Sequence, residues 1–554
     1  MTNFNNNNKN TNISFKSFSN LRIDVETTYI WKKRKFKTGF IYYTGSKDLI
    51  EKLEKLLNES FKLNKIKKFL LINNRNSSVI IQTGSSFLAF TSFSRDHPIF
   101  FRIYKSKLLI SNSIKKIIRK SESYNNDSLL EFALSGYCLG NKTLINGIHS
   151  IGPANIIWGD SNSLNISKYF SYHKTLSKNN KKSFKDYFYT INNIIDDSIN
   201  YIIENSNDKT IYVPLSGGLD SRLIIAKFHE KKYKNIKSFS YGLKNNSDAL
   251  IAKKVADHLD VKWDYIWFDK AKFRKLYFSE FKKKYDNFSD HLSCIPNYAE
   301  IFFLNSLKEK KYFSKNPILV NGQSGDFNTG LHIPKILFDQ DRKDKDKNLF
   351  WVLEAIRKKH FCLWLQDDLK LNNFKINEKI KNSLDVELLE YPLSDIYENW
   401  EYRERQSKFV VNGQRAYEFL NFDWFLPLWD SEFVKFWTTV PLELRYKQNL
   451  YKRYLLNWNY KDIFEIINDD VTAFTGYKNI GIMALSFSLN FLVNKEIKQK
   501  IINISDYFSR YGFQYQFFSF FEFLEKRKKV KNAVGMHVRR WLQDKILLDK
   551  VYIN

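Results

Sequence analysis

The sequence predicts an α/β protein in two parts, a β-rich α+β segment followed by parallel βαβ units that give way to a helical last third. Three observations carry that prediction. Between about residues 21 and 172, short runs of β-branched and aromatic residues are separated by Asn, Gly, Ser and Lys, the mark of short strands. From residue 210 onward, apolar runs alternate with stretches of helical period. Strands alternating with helices argue for a parallel sheet with ligand at the carboxyl ends of its strands. The C-terminal third is helical and strongly aromatic.

Taken in order, residues 1–20 read as an Asn-rich, disordered tail. Strands are expected at 39–43, 69–72, 78–83, 87–93, 99–104, 107–111 and 155–158, with one helical interval at 47–63. Residues 179–185 form a Lys-rich linker, and 186–204 a helix with Ile191, Ile195, Ile199 and Ile202 on one side. Strands at 236–241 and 263–268 enclose a helix opened by Ser247 and Asp248. Residues 513–523 carry too many aromatics for a solvated face and read as core or interface, while 525–531 read as an exposed basic helix end. The resulting division is 1–20, 21–175 and 186–554.

Composition bounds the function more loosely. The formal charge is +30, which suits nucleic acid, a membrane surface or an anionic substrate. Lys and Asn are abundant along the whole chain and Gly and Pro are scarce, so the charge reads as compositional bias and argues little for nucleic acid. Cys138, Cys294 and Cys362 are far apart without metal-ligand spacing; they are expected to be buried apolar side chains. No apolar stretch follows a basic start at the N-terminus, and residues 480–493 are too short and too often interrupted by Ser and Asn to span a bilayer. A cytoplasmic protein with no membrane partner is expected.

The stretch T-I-Y-V-P-L-S-G-G-L-D-S-R-L-I-I-A-K-F-H-E at 210–230 is a strand, a tight turn and a helix. Gly217 and Gly218 let the backbone approach a ligand closely. Ser216, Asp220 and Ser221 sit where unpaired helix N–H groups favour an anion. The turn lacks the lysine and spacing of the Walker loop. Ser240, Tyr241 and Gly242, ending the next strand, are expected on the adenosine side. A further apolar run at 317–320 feeds N-G-Q-S-G-D-F-N-T-G-L-H at 321–332, where Gly322, Gly325 and Gly330 accompany the carboxylate of Asp326.

The S-G-G-L-D-S turn resembles the pyrophosphate loop of the PP-loop ATP pyrophosphatases. The phrases S-R-D-H-P-I-F-F at 94–101 and T-L-I-N-G-I-H-S-I-G-P-A at 143–154 are similar to phrases in the Ntn-type glutaminase domain of glutamine-hydrolysing asparagine synthetases. The loop at 321–332 resembles that family's G-[DE]-G-x-D-E signature, and the segments at 419–430 and 450–455 resemble its downstream motifs. The resemblance implies a glutaminase-like domain followed by an asparagine synthetase-like ATP-pyrophosphatase domain, with ATP and Mg²⁺ as cofactors. It implies an AMP-forming amide ligase acting through an acyl-adenylate. Leu215, Ser216, Gly217, Gly218, Asp220, Ser221, Tyr241 and Gly322 would bind ATP or pyrophosphate, Asp220 and Asp326 would hold the metal, and Lys452, Gln323 and Asp423 would stand at the catalytic positions.

Three departures matter. The family's N-terminal cysteine nucleophile is replaced by Thr2 ahead of a long polar tail, so the first domain is expected to be a glutaminase in shape only. Gln323 stands where the family carries an acid, and glutamine cannot act as a general base. Phe327 replaces the Glu that follows Asp326. The carboxylate substrate stays open between aspartate, as in asparagine biosynthesis, and a sugar acid of surface-polysaccharide assembly; the nitrogen donor is ammonia or an amine. A separate ammonia source and a homodimer are compatible with the sequence. The alternatives are a PP-loop enzyme acting on tRNA and a catalytically lapsed binding protein.

Overall fold

The computed structural model describes residues 13–16, 20–59, 61–119, 121–174, 182–244, 246–343, 348–364, 373–466, 506–507 and 512–552. The first half is built on two sheets. Seven antiparallel strands lie in the order Ile13–Lys16, Ser163–Lys168, Asn155–Gly159, Ser86–Phe90, Val79–Thr83, Gly39–Tyr43 and Lys32–Phe36. Four more lie in the order Asn20–Ile23, Lys107–Ser111, Phe100–Tyr104 and His149–Ser150. The sheets face each other across Ile80, Ala89 and Ile157 on one side and Phe101, Leu108 and Ile110 on the other. Helices Lys47–Glu59 and Leu63–Asn73 bury Ile50, Leu53, Ile66 and Leu70 against the far face of the larger sheet.

Several sequence expectations change here. Residues 69–72, expected as a strand, belong to the helix Leu63–Asn73, and the helical interval expected at 47–63 ends at Glu59. Part of the expected disordered tail is a strand, because Ile13–Lys16 pairs antiparallel with Ser163–Lys168. Lys32–Phe36 escapes a periodicity search because its sequence is KKRKF; lysines on an outer strand discourage pairing with other chains. Cys138 and Cys294 are buried as expected, but Cys362 is partly exposed.

The second half carries a five-stranded sheet in the order Lys262–Trp267, Ile236–Gly242, Ile211–Pro214, Ile318–Val320 and Asp423–Phe425, parallel throughout. Pro214, which cannot donate to a ladder, ends its strand. Helices Phe184–Ser206, Leu219–Glu230 and Ser247–His258 cover one face, packing Ile199, Ile224 and Val255 against Ile211, Val213 and Val320. The first begins in a capping box between Ser183 and Asp186. The opposite face buries Tyr212, Phe239 and Leu319 under helix Ile301–Glu309 and the C-terminal helices. Phe513, Phe517, Phe518 and Phe523 lie in that core. In the expected basic helix end at 525–531, Arg527 is instead buried and paired with Asp506 at 2.7 Å. Residues 480–493 lie outside the described residues, and no described helix is long and apolar enough to cross a membrane.

Residues 94–101 join the halves from inside. Arg95 donates to Ile151 O at 3.0 Å and to Ser407 O at 3.2 Å. Arg415 donates to Asp96 O at 2.7 Å, and Tyr402 to Phe93 O at 2.5 Å.

Candidate active site

Two loops meet at the carboxyl ends of neighbouring parallel strands. The first follows Ile211–Pro214 and opens helix Leu219–Glu230, whose N-cap is Gly218 and which no side chain caps. Its leading N–H groups are therefore not satisfied by a capping oxygen. Leu215 is buried, donates its N–H to Phe239 O at 2.8 Å and accepts Ser240 Oγ at 2.6 Å, so it anchors the turn rather than lining it. Ser221 Oγ accepts the Ser216 N–H at 3.0 Å, and Ser216 Oγ accepts the Gly218 N–H at 3.1 Å. Arg222 donates to Gly217 O at 2.8 Å and to Ile463 O and Ile466 O at 3.1 Å, which ties the turn to the segment after helix Asn449–Trp458.

The second loop follows Ile318–Val320, and two of its glycines let it close on the first. A Cβ at Gly322 would come within 2.6 Å of Asp220 Cβ, and one at Gly325 would collide with Asp220 Oδ2. Asp220 is thereby wedged against the chain that carries Asp326. Burial first, then the Asp326 charge, pushes its carboxyl up to about 7, against hydrogen bonds from Tyr451 and the Asp326 N–H. A neighbouring carboxylate disfavours charge on Asp220; a cation between them would reverse the effect.

Helix Asn449–Trp458 supplies a third wall, though not through the residue the sequence singled out. Tyr451 donates to Asp220 Oδ1 at 2.7 Å. Just before the helix, Gln448 donates to Asp326 Oδ1 at 3.2 Å and to Thr329 Oγ1 at 2.7 Å. Lys452 lies on the exposed side, with no described hydrogen bond or ion pair to either loop. Tyr451 and Gln448 lie within four residues of Lys452, and that adjacency was the available signal.

Two further expected residues lie away from the first loop. Asp423 pairs in register with Ile318, the first residue of its neighbour, so it lies at the amino-terminal edge of the sheet, and it bonds Lys209 Nζ at 3.0 Å. A parallel strand brings its last residue, not its first, to the crevice. Tyr241 stacks on Phe303 with ring centroids 4.7 Å apart and packs with the core on the sheet face opposite helix Leu219–Glu230, so it does not line the first loop. Gln323 donates its N–H to Asn321 Oδ1 at 3.0 Å and accepts from Gln414 Nε2. Thr2 lies outside the described residues, and the buried Cys138 thiol is pushed upward, chiefly by burial, so it is no substitute nucleophile.

A parallel sheet, a Gly-Gly turn at an uncapped helix N-terminus and a facing carboxylate pair define a PP-loop-like α/β domain. Residues 201–301 match the asparagine synthase family, a span that holds the first loop and ends before the second. No curated protein matches the chain. Among solved structures, the chain is similar to the U34-tRNA thiolase NcsA from Methanococcus maripaludis with its 4Fe-4S cluster. The likeness has 15% identity and covers 46% of this chain and 86% of that one, but its TM-score of 0.20 is too low to define a shared fold.

Proposed function

We propose that the protein is an AMP-forming ligase that activates a carboxylate on ATP and joins it to ammonia or an amine. The observation that carries this is the wedge of Asp220 between Gly322 and Gly325, which joins a phosphate-type turn to a second carboxylate-bearing loop. Ser216, Gly217, Gly218, Asp220 and Ser221 take the pyrophosphate of ATP at the helix N-terminus, where N–H groups and the dipole favour an anion. Gly322 forms the opposite wall.

Asp220 and Asp326 fit Mg²⁺. Their mutual repulsion at a glycine-lined approach suits a hard cation that takes few protein carboxylates and leaves its other positions to phosphate and water. When bound, the metal would neutralise phosphate charge. The chain's own part is to orient the two carboxylates: Tyr451 donates to Asp220, and Gln448 to Asp326. Lys452, exposed beside Tyr451, is the cation that would meet charge growing on the α-phosphate. The first half, residues 21–175, keeps a glutaminase-like shell without its thiol and acts as scaffold.

A carboxylate is a poor acyl donor because its leaving group would be oxide. Attack on the α-phosphorus converts it to an acyl-adenylate, pyrophosphate leaves, and the amine then displaces AMP. The test is pyrophosphate release from ATP with aspartate, with glutamine or ammonium as nitrogen source, and with a panel of uronic acids. Release with one acid, abolished in Asp220→Ala, supports the reading. ATP binding without release for any acid would instead point to a lapsed binding protein.

A further inference from the structure

Gln323 leaves the crevice without a base at the position where the loop would carry one, and two other carboxylates reach that loop through hydrogen bonds. Glu401 is connected through Gln406, which donates to Glu401 Oε1 at 3.2 Å and accepts Ser324 Oγ at 3.1 Å. Its oxygens also lie 2.6 Å from His332 Nδ1, 3.2 Å from Lys359 Nζ and 3.7 Å from His360 Nε2. Burial opposes its charge, but His332 and His360 outweigh burial and hold the carboxyl well below the usual range. A carboxylate so surrounded is a counter-ion, with little appetite for a proton.

Glu300 is the opposite case. It is the N-cap residue of helix Ile301–Glu309, where its side chain caps nothing, and it is partly exposed. Tyr417 donates to it at 2.9 Å, while the same phenol oxygen accepts Asn321 Nδ2 at 3.0 Å. Asn321 also accepts the Gln323 N–H and immediately precedes Gly322, which lies against Asp220. Glu300 is thus two hydrogen bonds from the second loop.

The titratable groups that feel its charge are phenols: Tyr241 from the strand end, Tyr285 from helix Glu280–Ser289 and Tyr417. It has no ion pair among the described residues. Burial pushes its carboxyl up to about 7, with the Tyr417 hydrogen bond pulling it partly back. A group titrating there exchanges protons readily at neutral pH.

We propose that Glu300 is the general base for the amine nucleophile, with Tyr417 as its positioning residue; this rests on the adenylating reading above. The ammonium ion gives a proton to the Glu300 carboxylate, and the freed lone pair forms the C–N bond at the acyl carbon. AMP leaves with the electron pair of the broken C–O bond, and a second N–H proton passes to water. Asn321, Gln323 and Gln414 offer amide donors and acceptors but no cation around this route, which suits a small amine entering beside the acyl group.

The test separates the two half-reactions, using the acid that supports the strongest ATP–pyrophosphate exchange. Glu300→Gln keeps exchange and a thermal midpoint no lower than wild type, and loses about 10²–10⁴-fold of amide formation from ammonium. It keeps hydroxamate formation from hydroxylamine, which is already uncharged at neutral pH and needs no base. Tyr417→Phe moves the acidic limb of the ammonium profile to higher pH, because the lost hydrogen bond had favoured the charged carboxylate. Wild-type ammonium turnover in Glu300→Gln, equal losses with ammonium and hydroxylamine, or an unmoved limb in Tyr417→Phe would each overturn the base assignment while exchange leaves adenylation standing. No exchange with any acid overturns adenylation, and the base falls with it.

Discussion

Tyr451 donates its phenol proton to Asp220 Oδ1 across 2.7 Å, linking the helix Asn449–Trp458 to the turn that opens the parallel domain. The bond favours the charged form of a carboxylate that burial and Asp326 push the other way. Tyr451→Phe should therefore raise the Mg²⁺ concentration needed for half-maximal pyrophosphate release. The loss of a hydrogen bond to a charged group is worth about 1.5–3 kcal/mol. A metal titration of release that is superimposable on wild type would remove Tyr451 from the site.

The same pair predicts a pH dependence of the metal-free fold. Asp220 titrates near 7 when folded against 3.8 as a free side chain. Between those values the folded state holds more protons than the unfolded one, so stability falls as pH rises from about 4 to 7. Glu300, Glu398 and Glu418, all pushed up to about 7 by burial, act in the same direction, so the informative quantity is the difference from Asp220→Asn. Thermal melts without metal should fall less steeply with pH in the variant, and added Mg²⁺ should stabilise only wild type. Parallel curves would contradict the assignment.

Gly322→Ala places a methyl group 2.6 Å from Asp220 Cβ, and the neighbour is a short side chain fixed on a helix. The expected outcome is about 1–3 kcal/mol of destabilisation together with loss of pyrophosphate release. Gly218→Ala meets only Ser216 Oγ at 3.2 Å and should fold normally, so any loss of release there reports ATP binding alone. Calorimetry of ATP binding on both variants distinguishes the two outcomes.

Lys452→Ala and Asp423→Ala form a contrasting pair. Both positions are exposed enough that stability should change by roughly 0.5 kcal/mol or less for Lys452 and by about 0–1 kcal/mol for the Asp423–Lys209 pair. Pyrophosphate release should fall about 10²–10³-fold for Lys452→Ala and stay unchanged for Asp423→Ala. Side-by-side rates decide it, and a loss in Asp423→Ala would mean that the sheet edge communicates with the crevice.

The parallel half was legible because each step has a local cause: an apolar run ends at Ser216, two glycines follow, and helical spacing resumes at Leu223. The match over residues 201–301 falls on that stretch. Asp423–Phe425 was not legible as a strand, since three residues give no period, and Asp423 was placed in the site for want of that register. Lys452 stood out by chemical type, whereas Tyr451 and Gln448 act through contacts made only when distant loops close. Glu300 carries no motif at all; its character comes from burial, which the Tyr417 hydrogen bond only partly offsets, and from having no ion pair among the described residues. The strand Lys32–Phe36 was hidden by its charges, which are permitted only because it is an outer strand.

Arg95 sits with its guanidinium buried, at φ +56, satisfied by carbonyls of both halves. If residues 186–554 were expressed alone, Ser407 O would lose the Arg95 guanidinium and the Tyr402 phenol would lose Phe93 O, while Arg415 would keep only its pair with Glu418. Each orphaned polar group costs about 1–3 kcal/mol, and the apolar surface around Phe327, Trp429 and Val434 would face water. The second half is therefore not a detachable module. The first half has to be retained whole, because it is the inner wall of its neighbour.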